Sequence, residues 1–207
     1  SGLNGFNNGG SALLDKLLVY CSIEHQIEIY QQSNSFNATI SNSDVKDNST
    51  SFGSDGIQVE MQGTASATIS VDTVSFDDNK SQAVQAAAND SSTLDMTVKN
   101  STVVRSSQGN EGIVMSNGNN GDLIAHITGN NISGIQGATI FVGQTPGNAT
   151  ASSSLTAYIA NNTIVHPTSA VNSAVLVWTT STIGAGAPAN VMVTNNIITQ
   201  NSTGGVS

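Results

Sequence analysis

The sequence comprises 207 residues with a formal net charge of −9, and only 9% of its side chains are charged and 4% aromatic. An acidic surface disfavours nucleic acid and anionic membranes as partners, and no stretch offers the roughly 18 consecutive apolar residues of a membrane helix. The single cysteine, Cys21, excludes an intrachain disulfide framework. We expect one domain over residues 1–207, excised from a longer chain.

The first predicted element is a leucine-rich segment, SALLDKLLVYCSIEHQIEIYQQ at residues 11–32. Odd positions from Leu17 to Ile29 are mostly apolar, which is the strand period, although the first half also fits a short helix. We interpret residues 11–36 as an atypical insertion or cap that covers one flank or end of the domain. The alternative is a partner-binding patch, because exposed apolar residues mark interfaces. Its candidate contacts are Leu17, Val19, Tyr20, Ile23 and Ile27.

A repeat of aliphatic residues occupies the chain after this segment. The aligned positions are Ile40, Ile69, Val98, Ile127, Ile159 and Val193, separated by 29, 29, 29, 32 and 34 residues. Five residues after them lie Val45, Val74, Val103, Ile132, Ile164 and Ile198. A fixed period of this size predicts stacked structural repeats, with Ile69 and Val98 as vertical neighbours.

A third apolar run completes each repeat, as in Ile57–Val59 and Ile113–Met115. Three short strands per coil of about 29 residues, in about six coils, predict an all-β fold: a parallel β-helix, or β-solenoid. Helical repeats need strong helix formers and propeller blades need a longer period, so both are disfavoured. Residues two positions after the first aliphatic are often Asn, such as Asn42 and Asn100, and we expect these amides to form a buried ladder.

These repeats resemble those of right-handed parallel β-helix proteins, the pectin-lyase-like superfamily, over about residues 36–200. The low charge and the Asn, Thr and Gly bias are most similar to passenger and adhesin regions of bacterial autotransporters. The resemblance implies a right-handed coil and an extracellular, bacterial cell-surface location. It also implies that an enzyme acting on acidic polysaccharides must be considered, although the Gly-His-Gly and Arg-x-Lys motifs of the related hydrolases do not occur here.

One carboxylate cluster is a candidate site. Asp77 and Asp78 are adjacent, and the 29-residue period stacks Asp77 over Asn48, beside Asp47 and near Arg105. Paired carboxylates serve glycoside hydrolysis, and carboxylate oxygens are Ca²⁺ ligands, so Asp47, Asp77 and Asp78 are the alternative catalytic residues and the candidate Ca²⁺ ligands. A solvated turn is the other interpretation. No other cofactor is expected, since the spacing of the three histidines suggests no metal site.

The outward positions and the connections give two further expectations. Thr39, Thr68 and Thr97 form a short outward row that ends at His126. Tyr158, Phe141 and Trp178 are candidates for partner or sugar contacts, and an interior position of Trp178 is the alternative. Longer spacings between the third run of one repeat and the first of the next predict loops gathered at one corner. Such a corner often carries the binding surface of a solenoid.

The leading hypothesis is a non-enzymatic extracellular β-solenoid of a bacterial surface or secreted protein. It would act as an adhesin or stiff spacer, with a host surface protein or a glycan as partner. The alternatives are a carbohydrate-active β-helix enzyme, a polysaccharide lyase or hydrolase, and a self-associating module that pairs solenoid faces.

Overall fold

The computed structural model describes residues 3–7, 9–20, 22, 24–46, 55–106, 111–149, 152–167, 173–179, 181–182, 185–186 and 188–201. Within these ranges all helices and strands assigned are β-strands, so the regular secondary structure described is entirely β. The strands are numbered β1 to β23 in chain order. No helix in the described part of the chain has the length and apolar character needed to cross a membrane.

Three parallel seven-stranded sheets, named A, B and C, share the strands in strict rotation. Sheet A holds β1 (Leu3–Phe6), β4 (Ile27–Gln31), β7 (Ile57–Met61), β10 (Val84–Ala88), β13 (Ile113–Asn119), β16 (Ile140–Ala149) and β19 (Val175–Trp178). Sheet B holds β2 (Gly10–Asp15), β5 (Ser35–Ser41), β8 (Ser66–Asp72), β11 (Thr93–Lys99), β14 (Asp122–Thr128), β17 (Ser154–Ala160) and β22 (Ala189–Thr194). Sheet C holds β3 (Leu18–Tyr20), β6 (Asp44–Lys46), β9 (Ser75–Asn79), β12 (Thr102–Ser106), β15 (Asn131–Ser133), β18 (Thr163–Pro167) and β23 (Ile197–Asn201).

The predicted parallel β-solenoid with three strands per coil is therefore confirmed. Each sheet has seven strands, one more than the six repeats that the sequence indicates. The extra coil lies in the leucine-rich segment, where β2 pairs with β5, β3 with β6 and β4 with β7. The interpretation of residues 11–36 as an insertion is wrong, because these residues contribute strands to all three sheets in register. A small antiparallel hairpin, β20 (Ser181–Thr182) and β21 (Ala185–Gly186), precedes β22.

The expected stacking of Ile69 on Val98 is also wrong, by two residues. Val98 lies beside Val71, and Ile69 lies beside Met96. Because side chains alternate with a period of two, a shift of two residues keeps the same face inward and the fold survives. The central column of sheet B runs Leu14, Ile40, Val71, Val98, Ile127, Ile159 and Val193.

Columns of aliphatic side chains fill the interior of the coils. Ile57, Val84 and Ile113 stack in sheet A, and each is fully buried. In sheet C, Phe76 takes the place that the repeat assigns to Val74, stacked between Val45 and Val103. Each such side chain contributes roughly 1.5–3 kcal/mol by leaving water. Stacking like residues therefore supplies both the core and the register.

The corner between sheets B and C is the most regular part of the fold, with two residues in every coil. The first adopts the left-handed conformation in all seven coils, with φ between 49° and 68°, at Lys16, Asn42, Thr73, Asn100, Gly129, Asn161 and Asn195. Asn tolerates this conformation better than most residues, which explains its frequency here. The predicted Asn42 and Asn100 lie at this exposed position, so they do not form the buried ladder.

The buried ladder is formed by the second residue of the same corner. Asn130 donates to the Val98 carbonyl (3.0 Å) and to Asn162 Oδ1 (2.9 Å), and Asn162 repeats this geometry with Ile127 and Asn196. Backbone N–H groups of the preceding coil donate to the same Oδ1 atoms. Each amide thereby satisfies buried backbone groups of its neighbours.

The connections at the corner between sheets C and A are generally the longest, with four to ten residues between consecutive strands. The prediction placed the long loops at the corner between sheets A and B. There, six of the seven connections have two to four residues, and only residues 179–188 form a long one. The extra residues before β17 instead extend β16 to ten residues. The longer spacing therefore reflects a longer strand and not a longer loop.

Candidate functional site

The outer face of sheet A carries two rows of side chains that run along the solenoid axis. Strand register aligns Glu28, Gln58, Gln85, Val114, Phe141 and Leu176 in one row. The parallel row contains Phe6, Tyr30, Glu60, Ala87, Ser116, Gly143 and Trp178. Neighbouring strands lie about 4.8 Å apart, so Tyr30 and Trp178 are separated by roughly 24 Å along the axis.

A groove lies on this face where the second row becomes small. Its lining is formed by Gln58, Val59, Glu60, Gln85, Ala87, Asn89 and Ser116, and its volume is about 310 Å³. Ala87 and Ser116 contribute short side chains along its course, and four amide or carboxylate side chains lie beside them. We call these seven residues the sheet A groove. It offers hydrogen-bond donors and acceptors along an open, axial channel.

A relay of side chains holds Glu60 at one end of the groove. Gln62 Nε2 donates to Glu60 Oε1 at 2.6 Å, and the Tyr30 hydroxyl donates to Gln62 Oε1 at 2.7 Å. Gln32 Nε2 in turn donates to the Tyr30 oxygen at 2.7 Å, and Phe6 packs on the Tyr30 ring with 5.0 Å between centroids. Because each member has a partner, Glu60 is oriented before any ligand arrives.

Two aromatic residues, Phe141 and Trp178, lie toward the far end of the same face. Trp178 is 47% exposed, and Phe141 is half-buried beside it in the other row. Gly143 leaves room for both residues, because a Cβ atom there would lie 2.8 Å from the Trp178 carbonyl oxygen and 2.9 Å from Phe141 Cζ. An exposed indole beside a polar groove provides a flat apolar platform and one hydrogen-bond donor.

The groove carries mainly hydrogen-bonding groups. Glu60 is the single ionisable side chain among the seven lining residues. Glycoside hydrolysis ordinarily needs two carboxylates that flank the scissile bond. Amides, a serine hydroxyl and an oriented carboxylate instead suit hydrogen bonds to hydroxyl groups.

The predicted carboxylate cluster lies partly outside the described residues, and the register of Asp77 differs from the predicted one. Asp77 lies between Lys46 and Val104 in the register rather than over Asn48, because the third coil is shifted by two residues. Asp77 is exposed, Asp78 is half-buried with φ of 52°, and Asp47 lies outside the described residues. Across the residues that the structure describes, no three His, Cys, Asp or Glu side chains converge as a metal site would require.

The residues predicted to bind partners fall into three groups. Ile27 is 1% exposed within the core and offers no contact surface, so its assignment is wrong. Val19 is half-buried and packs against the core from the first coil, and its role stays a prediction. Tyr20 is 58% exposed, Leu17 is half-buried at the first corner, and Ile23 lies outside the described residues. Tyr158 is half-buried on the outer face of sheet B and packs near the His126 ring, at 6.5 Å.

Three titratable groups have shifted pKa values, and none lies in the groove. Partial burial lowers the pKa of His25, but the hydrogen bond and charge of Asp55, with Glu28 and Glu24, outweigh it and raise the pKa. His25 Nδ1 lies 3.2 Å from the buried Asp55 carboxylate. The amide of Asn42 and the hydroxyl of Ser41 lower the pKa of Asp15. Partial burial of Asp72 acts in the opposite direction, yet Asn100, Thr73 and Lys99 lower its pKa.

The groove residues were not predicted, although Trp178 was. The third apolar run of each repeat contains the pattern that would have predicted the groove. The repeat compares the inward residues of these runs with one another, but not the outward residues between them. Aligning the outward positions places Gln58 beside Gln85 and leads from Glu60 through Ala87 to Ser116.

No family model matches the chain, and comparisons with curated proteins and with solved structures found no match either. The architecture and the groove are therefore the observations on which a function must rest.

Proposed function

We propose that this chain is a non-enzymatic extracellular β-solenoid of a bacterial surface or secreted protein, acting as a stiff spacer and adhesin that binds a glycan along sheet A. The observation that carries the proposal is the sheet A groove, which is axial and polar and has the exposed Trp178 on the same face. The extracellular and bacterial part rests on the resemblance of the repeats and composition to autotransporter passengers. The adhesin part rests on the groove.

A spacer role follows from how the coils are joined. Each coil pairs with the coil above and the coil below through three parallel ladders, and the aliphatic columns pass through them without interruption. Such a quasi-one-dimensional stack resists bending because every coil would have to break hydrogen bonds and part its core. The outer strand positions of sheet B in the second to fourth coils are mainly short polar residues, such as Thr39, Ser70 and Thr97.

The groove favours a neutral or amino sugar over an acidic one. Its lining contributes one negative charge, from Glu60, and no positive charge. A uronate carboxylate would face repulsion from Glu60 and find no cation to replace its lost hydration. A neutral chain finds amide and hydroxyl partners, with an indole on which a sugar ring can stack. The length of the face, roughly 24 Å, accommodates several sugar units.

Trp178 is the only tryptophan in the sequence, so its fluorescence reports on this face alone. Titration with neutral, amino and uronate oligosaccharides is expected to shift the emission with the first two classes and not with the third. Gln85→Ala, in the groove lining, should weaken binding about tenfold, which corresponds to the loss of one or two hydrogen bonds at about 0.5–1.5 kcal/mol each.

Thr97→Ala is the matched control, because Thr97 is half-buried like Gln85 but lies on sheet B, away from the groove. Its binding should equal that of the wild type. Failure of every neutral and amino glycan to bind would refute the adhesin proposal. Release of reducing ends or unsaturated products from a polysaccharide by the wild type, lost in Asp77→Asn or Asp78→Asn, would replace it with the enzyme.

A further inference from the structure

Asn-x-Ser/Thr triplets, the acceptor motif for N-linked glycans, occur nine times in the sequence. They begin at Asn37, Asn48, Asn79, Asn89, Asn100, Asn131, Asn148, Asn161 and Asn201. A chain rich in Asn, Ser and Thr contains such triplets by composition alone, so the motif by itself identifies no modified residue. The structure separates the triplets, because an enzyme reaches only an amide that is exposed on a protruding part of the chain.

Asn100 and Asn161 occupy the same place in their coils, the first residue of the corner between sheets B and C. Both are exposed and left-handed, with φ of 52° and 58°. The second residue of each triplet is the buried corner residue. The third is an exposed threonine, Thr102 or Thr163, which begins the next strand of sheet C. The corner therefore turns the amide and the hydroxyl of each triplet outward, on a convex edge of the solenoid.

Space around the two amides is sufficient for a sugar on each. Asn100 Nδ2 donates one of its two hydrogens to Asp72 Oδ1 at 3.0 Å, which leaves the second hydrogen for substitution. The same corner position in the intervening coil is Gly129, and a Cβ atom there would lie 3.0 Å from Asn100 Oδ1. The glycine thus gives the Asn100 side chain its room. Two coil spacings, roughly 10 Å, separate Asn100 from Asn161 along the axis.

The other described triplets are poorer acceptors. Asn79 is 2% exposed, and its Nδ2 donates to the Val45 carbonyl at 3.3 Å. Asn37 and Asn131 are exposed, but each lies in a strand that is paired on both sides, so its backbone cannot enter the cleft of an enzyme. Asn89 is half-buried and lines the sheet A groove. The remaining triplets contain side chains outside the described part of the chain.

We infer that Asn100 and Asn161 are glycosylated on Nδ2. The donor is a neutral sugar carried on a diphosphate, since the Asp72 carboxylate beside Asn100 disfavours an anionic sugar. The bond from Nδ2 to the sugar C1 forms and the bond from C1 to the diphosphate oxygen breaks. The diphosphate leaves with the bonding electrons, and the amide loses one proton to a base of the transferring enzyme. The inference rests on the proposed extracellular location, because this modification is typical of the surface of secreted proteins.

Glycopeptide mass spectrometry of the protein isolated from its source tests the inference. Peptides that contain Asn100 and Asn161 are expected to carry a sugar, and the peptide that contains Asn79 is not. Thr102→Val should abolish modification of Asn100, whereas Thr102→Ser keeps the acceptor hydroxyl and should preserve it. Thr102 is exposed, so both variants should fold, and Asn161 serves as the reference within each molecule. Absence of sugar from both Asn100 and Asn161 overturns the inference.

Asn42 allows a matched gain of modification. It is exposed at the same corner position, with φ of 49°, and its Nδ2 donates to Asp15 Oδ1 at 2.8 Å, as that of Asn100 does to Asp72. Its triplet ends at Asp44 and lacks the acceptor hydroxyl. Asp44→Thr completes the motif and should add a sugar to Asn42. Modification of Asn79 to the same extent as Asn100 would show that the letters alone select the residue and would contradict the role of the corner.

This modification and glycan binding by the sheet A groove fail separately. Thr102→Val/Thr163→Val should lack both sugars yet bind the same oligosaccharides as the wild type, because the corner lies away from sheet A. An unmodified wild type that still binds oligosaccharides refutes the modification alone. A modified wild type that binds none refutes the adhesin proposal and leaves the modification standing.

Discussion

At the scale of single residues, Asn130 is a buried amide whose hydrogen bonds link three coils of the solenoid. It is 1% exposed, and its side chain bonds to the Val98 carbonyl, the Ser101 N–H and the Asn162 amide. The amide thus substitutes for backbone pairing at a corner where the chain leaves one sheet for the next.

Asn130→Ala is expected to lower the free energy of unfolding by about 1–3 kcal/mol, since the buried Ser101 N–H loses its side-chain acceptor and the Val98 carbonyl loses one donor. Asn131→Ala removes the same amide from the next, exposed position and should change stability by less than about 0.5 kcal/mol. Urea unfolding followed by circular dichroism measures both. Equal effects of the two substitutions would mean that the ladder does not stabilise the corner.

The ladder itself was predictable, but its members were not. In the last two coils both corner residues are Asn, at 161–162 and 195–196, so the letters alone do not say which one is buried. The left-handed backbone turns the first of them outward and the second inward. The groove posed a related difficulty, because Gln, Glu and Ser at outward positions occur throughout a polar surface. Only the relay to Tyr30 distinguishes Glu60.

At the scale of strands, the third coil has a register of its own. Thirty-one residues separate Ile40 from its neighbour Val71, and 27 separate Val71 from Val98. Together they equal two periods of 29, so the repeat returns to phase in the fourth coil and conceals the shift. Ile69 and Val71 both face inward on β8, so hydrophobicity could not choose between them.

Engineered disulfides can detect this register directly. In a Cys21→Ser background, Ser70→Cys/Thr97→Cys should form a disulfide readily, because these residues are direct neighbours across β8 and β11. Thr68→Cys/Thr97→Cys is the matched pair that the uniform 29-residue period predicts. Its Cα atoms are about 8 Å apart on the diagonal, beyond the span of a disulfide.

Oxidation followed by mass analysis under denaturing conditions compares the two pairs. Preferential closure of the Thr68 and Thr97 pair would restore the uniform period and contradict the register of the third coil. Either register keeps the same face of β8 inward, so the fold class does not depend on the result. Strand composition and the repeat period were therefore sufficient to predict the fold class.

At the scale of the whole molecule, burial and charge are both distributed unevenly along the axis. The largest fully buried side chains lie between Ile27 and Ile127, whereas exposed large apolar residues gather in the first and last coils, from Leu3 to Tyr20 and from Val177 to Ile198. In a stack where each coil contacts only its neighbours, local stability follows the number of flanking coils. The central coils should therefore stay folded under conditions in which the first and last coils unfold locally.

Native-state hydrogen exchange at low protein concentration tests this gradient. Amides of β8, β11 and β14 are expected to exchange most slowly, near the rate of global unfolding, because each of these strands is paired on both sides and encloses a fully buried column. Amides of β2 and β22 should exchange at least a hundredfold faster, since one side of each strand is unpaired. β5, one coil inward from β2, provides the internal comparison. Uniform protection from β2 to β22 would mean that the solenoid unfolds as a single unit.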